Sequence, residues 1–597
     1  MNRAVRTGRS FFLFMELLSK YSKILIPVLL GTGVFLFFFF LAPGLIWFQE
    51  QNYLFLYTKD FFLDHVMHPG GLASYAGAFL TQFYIFAWSG ALIQAFLIVL
   101  LQQSVSRLME KTGVNNSFQI LSLIPALLLW RFSCDQNYIN GAIIALLISL
   151  SGVLFMVERR NKKGYLLHTV ILSIILYMIA GGSFLLYLAF ILYFEFRNKG
   201  KNYKHKKSII LVTSALLLAA CLPVTASVFS PYPLQQLFLG IDFYRYPNEN
   251  FYLQYAAWFV IIGTVDLAAR IPFNNNKNGL YRIVYIFLIV LIPFSGFLFL
   301  RKAVNPALEE ALEYDHLAWD QQWDKIIRKA GKKPPSTSMS MTCLNLALVK
   351  SGKSGDLLFN YFQKGTEGLF PEFGGDFTSP LTTAEVFYHL GLINEAQHYV
   401  FEAMEAIPNH RKSARCLQRL AQTNLINEQY NVAQKYLGLL HKTLFYRHWS
   451  RKATYENHPE WNTLQEFRLP EDRIFSSTNM STVLKDLTIH NQKNKTAFQY
   501  LMAYTLLNKD WEKAAEYFTL GQQHYSLIPW AYQQALAFEW FQKTGKINES
   551  PWDLDENIKK GLKDFMNTML LTSEKQAHTV LEKLYRYTYW YYLYFIF

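Results

Sequence analysis

The segment FFLDHVMHPGG, Phe61 to Gly71, gathers one Asp, two His, one Pro and two Gly into eleven residues. A carboxylate beside two imidazoles can move protons or hold a cation. Asp60 lies one helical turn before Asp64. Read as one helix over 51–67, the segment puts Tyr53, Leu56, Asp60 and Asp64 on one stripe. Such a stripe is either the solvated face of a helix lying on a membrane, or it turns inward over a bundle of spans. There a buried carboxylate has a raised pKa suited to base work. In the second reading Asp60 is the base or metal ligand, Asp64 assists and His65 is secondary. His65 and His68 stand at i, i+3, but no third ligand of metal spacing follows, and Pro69-Gly70-Gly71 ends any helix there.

A second segment with chemical potential is SPYPLQQLFLGIDFYRYPNENFYLQ, residues 230–254. It holds seven aromatic residues together with Asp242, Arg245 and Glu249. Rings flanked by charged and amide groups can stack a sugar. The same composition also makes the aromatic belt of a membrane interface.

Both segments lie between long apolar runs, so the elements that position them are read as membrane spans. The chain of 597 residues is 52% hydrophobic and 17% aromatic, yet its mean hydropathy is only +0.11. That combination predicts one part in lipid and one in water. A helix needs ~20 apolar residues to cross a bilayer. Candidate spans are 24–48, 76–101, 118–131, 139–157, 164–180, 183–195, 208–228, 254–269 and 283–300. The first is too long for a cleaved signal and reads as an anchor. The fifth and sixth read as a hairpin turning at Gly181-Gly182, because Lys/Arg clusters stand at both ends of HTVILSIILYMIAGGSFLLYLAFILYF.

With nine spans and the N-terminus inside, the cytoplasmic segments hold 20 Lys/Arg and the outer loops 3. Positive residues stay on the cytoplasmic side, so this asymmetry sets the orientation. It also accounts for much of the net charge of +14 without nucleic acid. An odd number of spans puts everything after Arg301 outside the cytoplasm, in the periplasm of a bacterial inner-membrane protein. The expected division is a transmembrane domain over 1–301 and an extracytoplasmic helical domain over 302–597, all-α throughout.

Beyond Arg301 four stretches align: SGDLLFNYF, NEAQHYVFEA, NVAQKYLGLL and EKAAEYFTLG. Each pairs a small or aliphatic residue with an aromatic three later: Leu358 with Tyr361, Ala396 with Tyr399, Ala433 with Tyr436, Ala514 with Tyr517. That spacing puts both on one helix face. Polar turns precede each stretch, and QWDKII resembles DWEKAA at Trp511, so an earlier unit is expected to start at Trp319. Gly391, Ala396 and Pro408 fit the pattern of tetratricopeptide repeats, which this half resembles over 305–450 and 495–545, with 451–494 as an insertion. The resemblance implies a helical solenoid (a stack of helix pairs) whose concave surface holds a peptide or protein. Cys343 and Cys416 occupy similar places in units two repeats apart, too far for a disulfide, and are expected free and buried. The tail YRYTYWYYLYFIF, residues 585–597, is too short to span and reads as a last helix or strand on the solenoid or the membrane surface.

The membrane half resembles the GT-C group of membrane glycosyltransferases in its order: first span, acidic outer loop, tight hairpins, soluble C-terminal domain. That resemblance implies transfer from a lipid-linked sugar, with Asp60, Asp64 and His65 catalytic, Asp242, Arg245 and Glu249 on the substrate, and a divalent metal as the one cofactor it would bring. The layout equally resembles bacterial inner-membrane families of no assigned function. The corresponding reading is a scaffold in cell-envelope assembly, in contact with membrane lipid and a periplasmic partner and needing no cofactor. Walker A, Rossmann, Ser-His-Asp and CxxC patterns are missing from the sequence, which removes ATP-driven transport and redox chemistry from consideration.

Overall fold

The computed structural model describes residues 21–160, 162–197, 205–241, 243, 248–271, 278–371, 378–407, 411–453, 458–470 and 480–596. It is all-helical, with no strand among those residues. The chain divides into two compact units, Met1–Asn305 and Pro306–Phe597. The boundary falls a few residues beyond the expected change at Arg301.

Among the described residues of the first unit seven helices are long and apolar enough to cross a membrane: Tyr21–Leu41, Ala87–Lys111, Gly141–Arg159, Tyr165–Arg197, Ser208–Phe229, Tyr252–Arg270 and Ile283–Leu300. The expected first span ends early. Pro43 leaves Ala42 at φ −142, outside the helical region, and a separate helix, Pro43–Gln51, begins there. The expected second span is also broken. Gly71–Thr81 is one helix, and extended backbone at Phe86 separates it from Ala87–Lys111. The segment at 118–131 is a 3-10 stretch, Asn116–Ser122, followed by an α-helix of 11 residues, Leu123–Ser133.

Polar contacts gather at the two ends of this unit. At one end Lys23 pairs with Glu110, Lys111 with Glu158 and Arg159 with His168. Arg160 reaches the Phe194 carbonyl, and Arg197 reaches Asp266, which also binds Arg270 at 2.7 Å. Arg160 thus joins the start of Tyr165–Ala180 to the end of Phe184–Arg197, so the apolar run 165–197 folds back on itself. The fold-back turns at Gly181, whose φ of +53 favours glycine. Gln119 donates to Glu110 at this end, while Gln49 donates to the Ser133 carbonyl at the other. The stretch 119–133 therefore runs the length of the unit. From Gln119 to Ser133, four residues of 3-10 helix at ~2.0 Å each and eleven of α-helix at ~1.5 Å cover roughly 25 Å, somewhat less than the ~30 Å of a bilayer core.

The second unit is built of helix pairs: Pro306–Trp319 with Trp323–Lys332, Ser338–Lys350 with Ser354–Leu357, Ser379–Leu390 with Ile393–Glu405, Ala414–Ile426 with Tyr430–His441, and Lys495–Leu507 with Trp511–Gly521. All five turns share one backbone pattern. The residues Gln321, Gly352, Gly391, Glu428 and Lys509 have positive φ, and each stands two before the second helix. Its N–H donates to the carbonyl three residues back, and the next N–H to that five before itself, as in Gly391 to Tyr388 and Leu392 to Phe387. This is the Schellman closure, which satisfies the last carbonyls of a helix. Trp323 and Trp511 begin the second helix of their pairs, whereas Trp319, the expected start of the earlier unit, ends its first helix.

First helices of the pairs are buried nearly all round, as in Ser379–Leu390, where every residue from Pro380 to Leu390 is buried. Second helices keep one exposed face. The inner elements touch across the unit: the Phe370 ring lies 5.7 Å from that of Tyr500 and the Phe359 ring 5.1 Å from that of Tyr592, both pairs tilted. The unit's own aromatic residues thus fill the inner side that an open solenoid would offer to a peptide. The C-terminal tail contributes to this filling. It is a helix, Tyr589–Phe595, with Trp590 1% exposed and donating to the Gln534 carbonyl at 2.8 Å, and with Tyr592 donating to the Leu507 carbonyl. The region 451–494 is not a bare insertion, because Met480–His490 packs antiparallel on Lys495–Leu507. All four cysteines are free, with Cys343 and Cys416 buried.

Candidate functional site

The helix that carries the first candidate residues is shorter than the sequence reading made it, Lys59–Val66, capped by the Thr58 hydroxyl on Phe61 N–H. Residues 53–57 belong to no helix, so Tyr53 and Leu56 do not share a helical stripe with Asp60 and Asp64. Both acids are exposed, and His65 turns inward, 3% exposed. Its Nδ1 lies 2.7 Å from the Phe61 carbonyl and its Nε2 3.5 Å from the Tyr53 hydroxyl. His68 is also buried, against the Tyr232 ring, and the two imidazoles stand 6.3 Å apart. Pro69-Gly70 has a packing role. Gly70, at φ +81, donates to the Met178 carbonyl, and a Cβ on it would come within 3.1 Å of the Gly181 Cα. The two glycine turns of the membrane half thus meet, backbone on backbone.

Asp242 and Arg245 lie outside the described residues. Glu249 contributes through its backbone: its N–H donates to Oδ2 of Asp135 at 3.1 Å. Asp135 is the acid around which this end is organised. It also accepts from Asn137 N–H at 2.8 Å and from the Asn250 side chain at 3.3 Å. Its own carbonyl accepts from Gln49 at 2.9 Å. Three distant segments, at 49, 135 and 249, are therefore tied at one carboxylate. Burial pushes the Asp135 carboxyl above the usual carboxylate range, against the pull of these donors. The run CDQNYIN, between two apolar segments, is the sequence signal for it.

A second, uncharged knot stands beside it in the chain. Asn140 donates to Thr81 and Tyr84, and Tyr84 accepts from Gln94 at 2.7 Å; all four residues are buried. Asn52 is 0% exposed, and neither polar atom of its amide has a hydrogen-bond partner among the described residues. The arrangement holds segments in register through neutral hydrogen bonds and one occupied acid. No group of three potential metal ligands occurs among the described residues.

The second unit holds its own buried charge cluster. Arg415 pairs with Asp315 and, at 3.6 Å, with Glu385; Arg419 binds Glu385 at 2.5 Å. Trp319 lies against both guanidinium groups, 4.9 and 4.7 Å from its ring centre. Burial raises the Glu385 pKa, with Arg419 and Arg415 opposing. These residues come from the first helices of three pairs, and the repeat alignment, which followed second helices, passed over them. Arg415 and Arg419 at i, i+4 in SARCLQRL were the available signal.

The two units define an all-helical protein in which a bundle of apolar helices is joined to a folded array of helix pairs. The chain belongs to a family of unknown function, DUF6057, whose model matches residues 19–596. No curated protein and no solved structure matches it.

Proposed function

We propose that the protein is a nine-span inner-membrane scaffold that presents a tetratricopeptide-like domain in the periplasm and recruits a protein partner for cell-envelope assembly. The observation that carries this reading is the five-fold recurrence of one Schellman turn, since a repeated helix pair is the building unit of interaction solenoids. The count of nine takes the fold-back at Gly181 as two crossings and the stretch 119–133 as one. The 20-to-3 distribution of Lys/Arg then places residues after Asn305 outside the cytoplasm. Because the inner helices pack on each other, the partner meets the outer helices and loop tips. Exposed apolar residues there include Leu527 at 82% and Leu571 at 83%. A photoreactive residue placed at Leu527 or Leu571 in living cells should give a discrete crosslinked adduct with an envelope protein. If neither position, nor Tyr430 on another outer helix, yields a discrete adduct, the scaffold reading fails.

A further inference from the structure

The first and last apolar helices of the membrane unit do not close on each other. Between them runs a groove of about 990 Å³, walled by Leu29, Phe37 and Phe40 on one side and Ile289 and Phe297 on the other, with Trp130 in its lining. Its rims are apolar and open: Leu29 is 63% exposed, Phe40 67% and Phe297 65%. Open apolar walls of this kind are unfavourable in water and natural in a bilayer, where a hydrocarbon chain fills them.

The ends of the groove differ in charge. At the Ser22 end the neighbouring cation, Lys23, is already paired with Glu110. At the other end Arg301 lines the groove, exposed, and its guanidinium has no hydrogen-bond or ion-pair partner among the described residues. Arg131 stands beside it, donating to the Phe299 carbonyl and stacked 4.9 Å from the Phe299 ring, which leaves further N–H donors. The indole N–H of Trp130, next in sequence, is buried without an acceptor among the described residues. Positive charge and unused guanidinium donors thus stand at this end, where a lipid headgroup would begin, and an anion with oxygen acceptors is their complement.

We propose that this groove is a site for an anionic phospholipid, with acyl chains between the first and last helices and the phosphate at Arg131 and Arg301. The inference rests on the membrane-spanning reading above.

The test uses the full-length protein, purified in detergent and titrated with phosphatidylglycerol or phosphatidylcholine under native mass spectrometry, with glycerol 3-phosphate as the chain-free control. Wild type should retain phosphatidylglycerol over phosphatidylcholine, by roughly fivefold for each cation engaged, and should not retain glycerol 3-phosphate. The double variant Arg131→Gln/Arg301→Gln should lose the preference. Leu29→Trp, at an exposed wall position, should lower occupancy by both lipids. Equal binding of the two lipids by wild type, an undiminished preference in the double variant, or retention of glycerol 3-phosphate alone would overturn the proposal. Carbonate extraction of native membranes separates the two readings: protein that stays in the pellet keeps the membrane reading whatever the lipid result, and protein that is released removes it.

Discussion

Asp60 and Asp64 have the residue types of a catalytic pair, but their helix turns them to the outside and brings His65 inward. Under the scaffold reading, Asp60→Asn and Asp64→Asn, singly and together, should restore a deletion strain to the wild-type envelope phenotype at normal protein level. Loss of rescue at normal abundance would favour the transferase. Asp135 behaves differently because it is buried. Its folded-state pKa is raised above the unfolded value of about 4. The folded state therefore holds the proton more tightly, and stability falls as pH rises from about 4 through the folded pKa. Asp135→Asn should flatten that slope in thermal unfolding followed against pH. It should also lower stability at acid pH by about 1–3 kcal/mol, since an amide NH₂ cannot accept from the donors around it. An unchanged pH slope would show that Asp135 titrates normally. In the second unit Arg415→Ala leaves Asp315 and Glu385 buried beside an empty place, and should cost about 3–5 kcal/mol. A melting temperature within a degree or two of wild type would contradict the burial of that network.

At the scale of elements, the turns carry the sharpest expectations. Gln321, Glu428 and Lys509 hold positive φ with a side chain in place, where Gly352 and Gly391 hold it with none. A left-handed residue other than glycine is strained by about 1–2 kcal/mol, and glycine gives back ~0.5–1 in chain entropy. Lys509→Gly should therefore leave stability unchanged or raise it by up to about 1 kcal/mol. Gly391→Ala should lower it, because its Cβ would also stand 2.8 Å from that of Phe467. The opposite signs, read from melts of the two variants, would mean the turns do not share a conformation. Much of this was legible in the sequence. The alignment of Ala396, Ala433 and Ala514 found the second helices, and the likeness of QWDKII to DWEKAA pointed to an earlier pair, though its expected start at Trp319 is the end of a first helix. What was not legible was closure. Nothing local to Phe359 or Phe370 says that these rings meet the C-terminal tail and Tyr500, because such contacts join residues more than a hundred positions apart. The span boundaries failed for a related reason. Hydropathy ran 24–48 and 76–101 together as single apolar stretches, while Pro43 and the extended backbone at Phe86 divide them. The short α-helix Leu123–Ser133 traverses the unit only because a 3-10 stretch precedes it.

For the molecule as a whole, the account turns on sidedness. Ion pairs from Lys23–Glu110 to Asp266–Arg270 mark one end of the first unit, and Asp135 with its neutral neighbours marks the other. Under the proposed nine crossings, with the charged end in the cytoplasm, the second unit and its buried cysteines lie outside. Burial pushes the Cys343 thiol up and the Cys416 thiol to about 11, so both stay protonated at neutral pH. One measurement decides the sidedness most directly: paired reporter fusions after Lys302 and after Lys111, one reporter active only in the periplasm and one fluorescent only in the cytoplasm. The account expects the periplasmic reporter to be active after Lys302 and the cytoplasmic one after Lys111. A fusion after Lys302 that fluoresces and lacks periplasmic activity would contradict it.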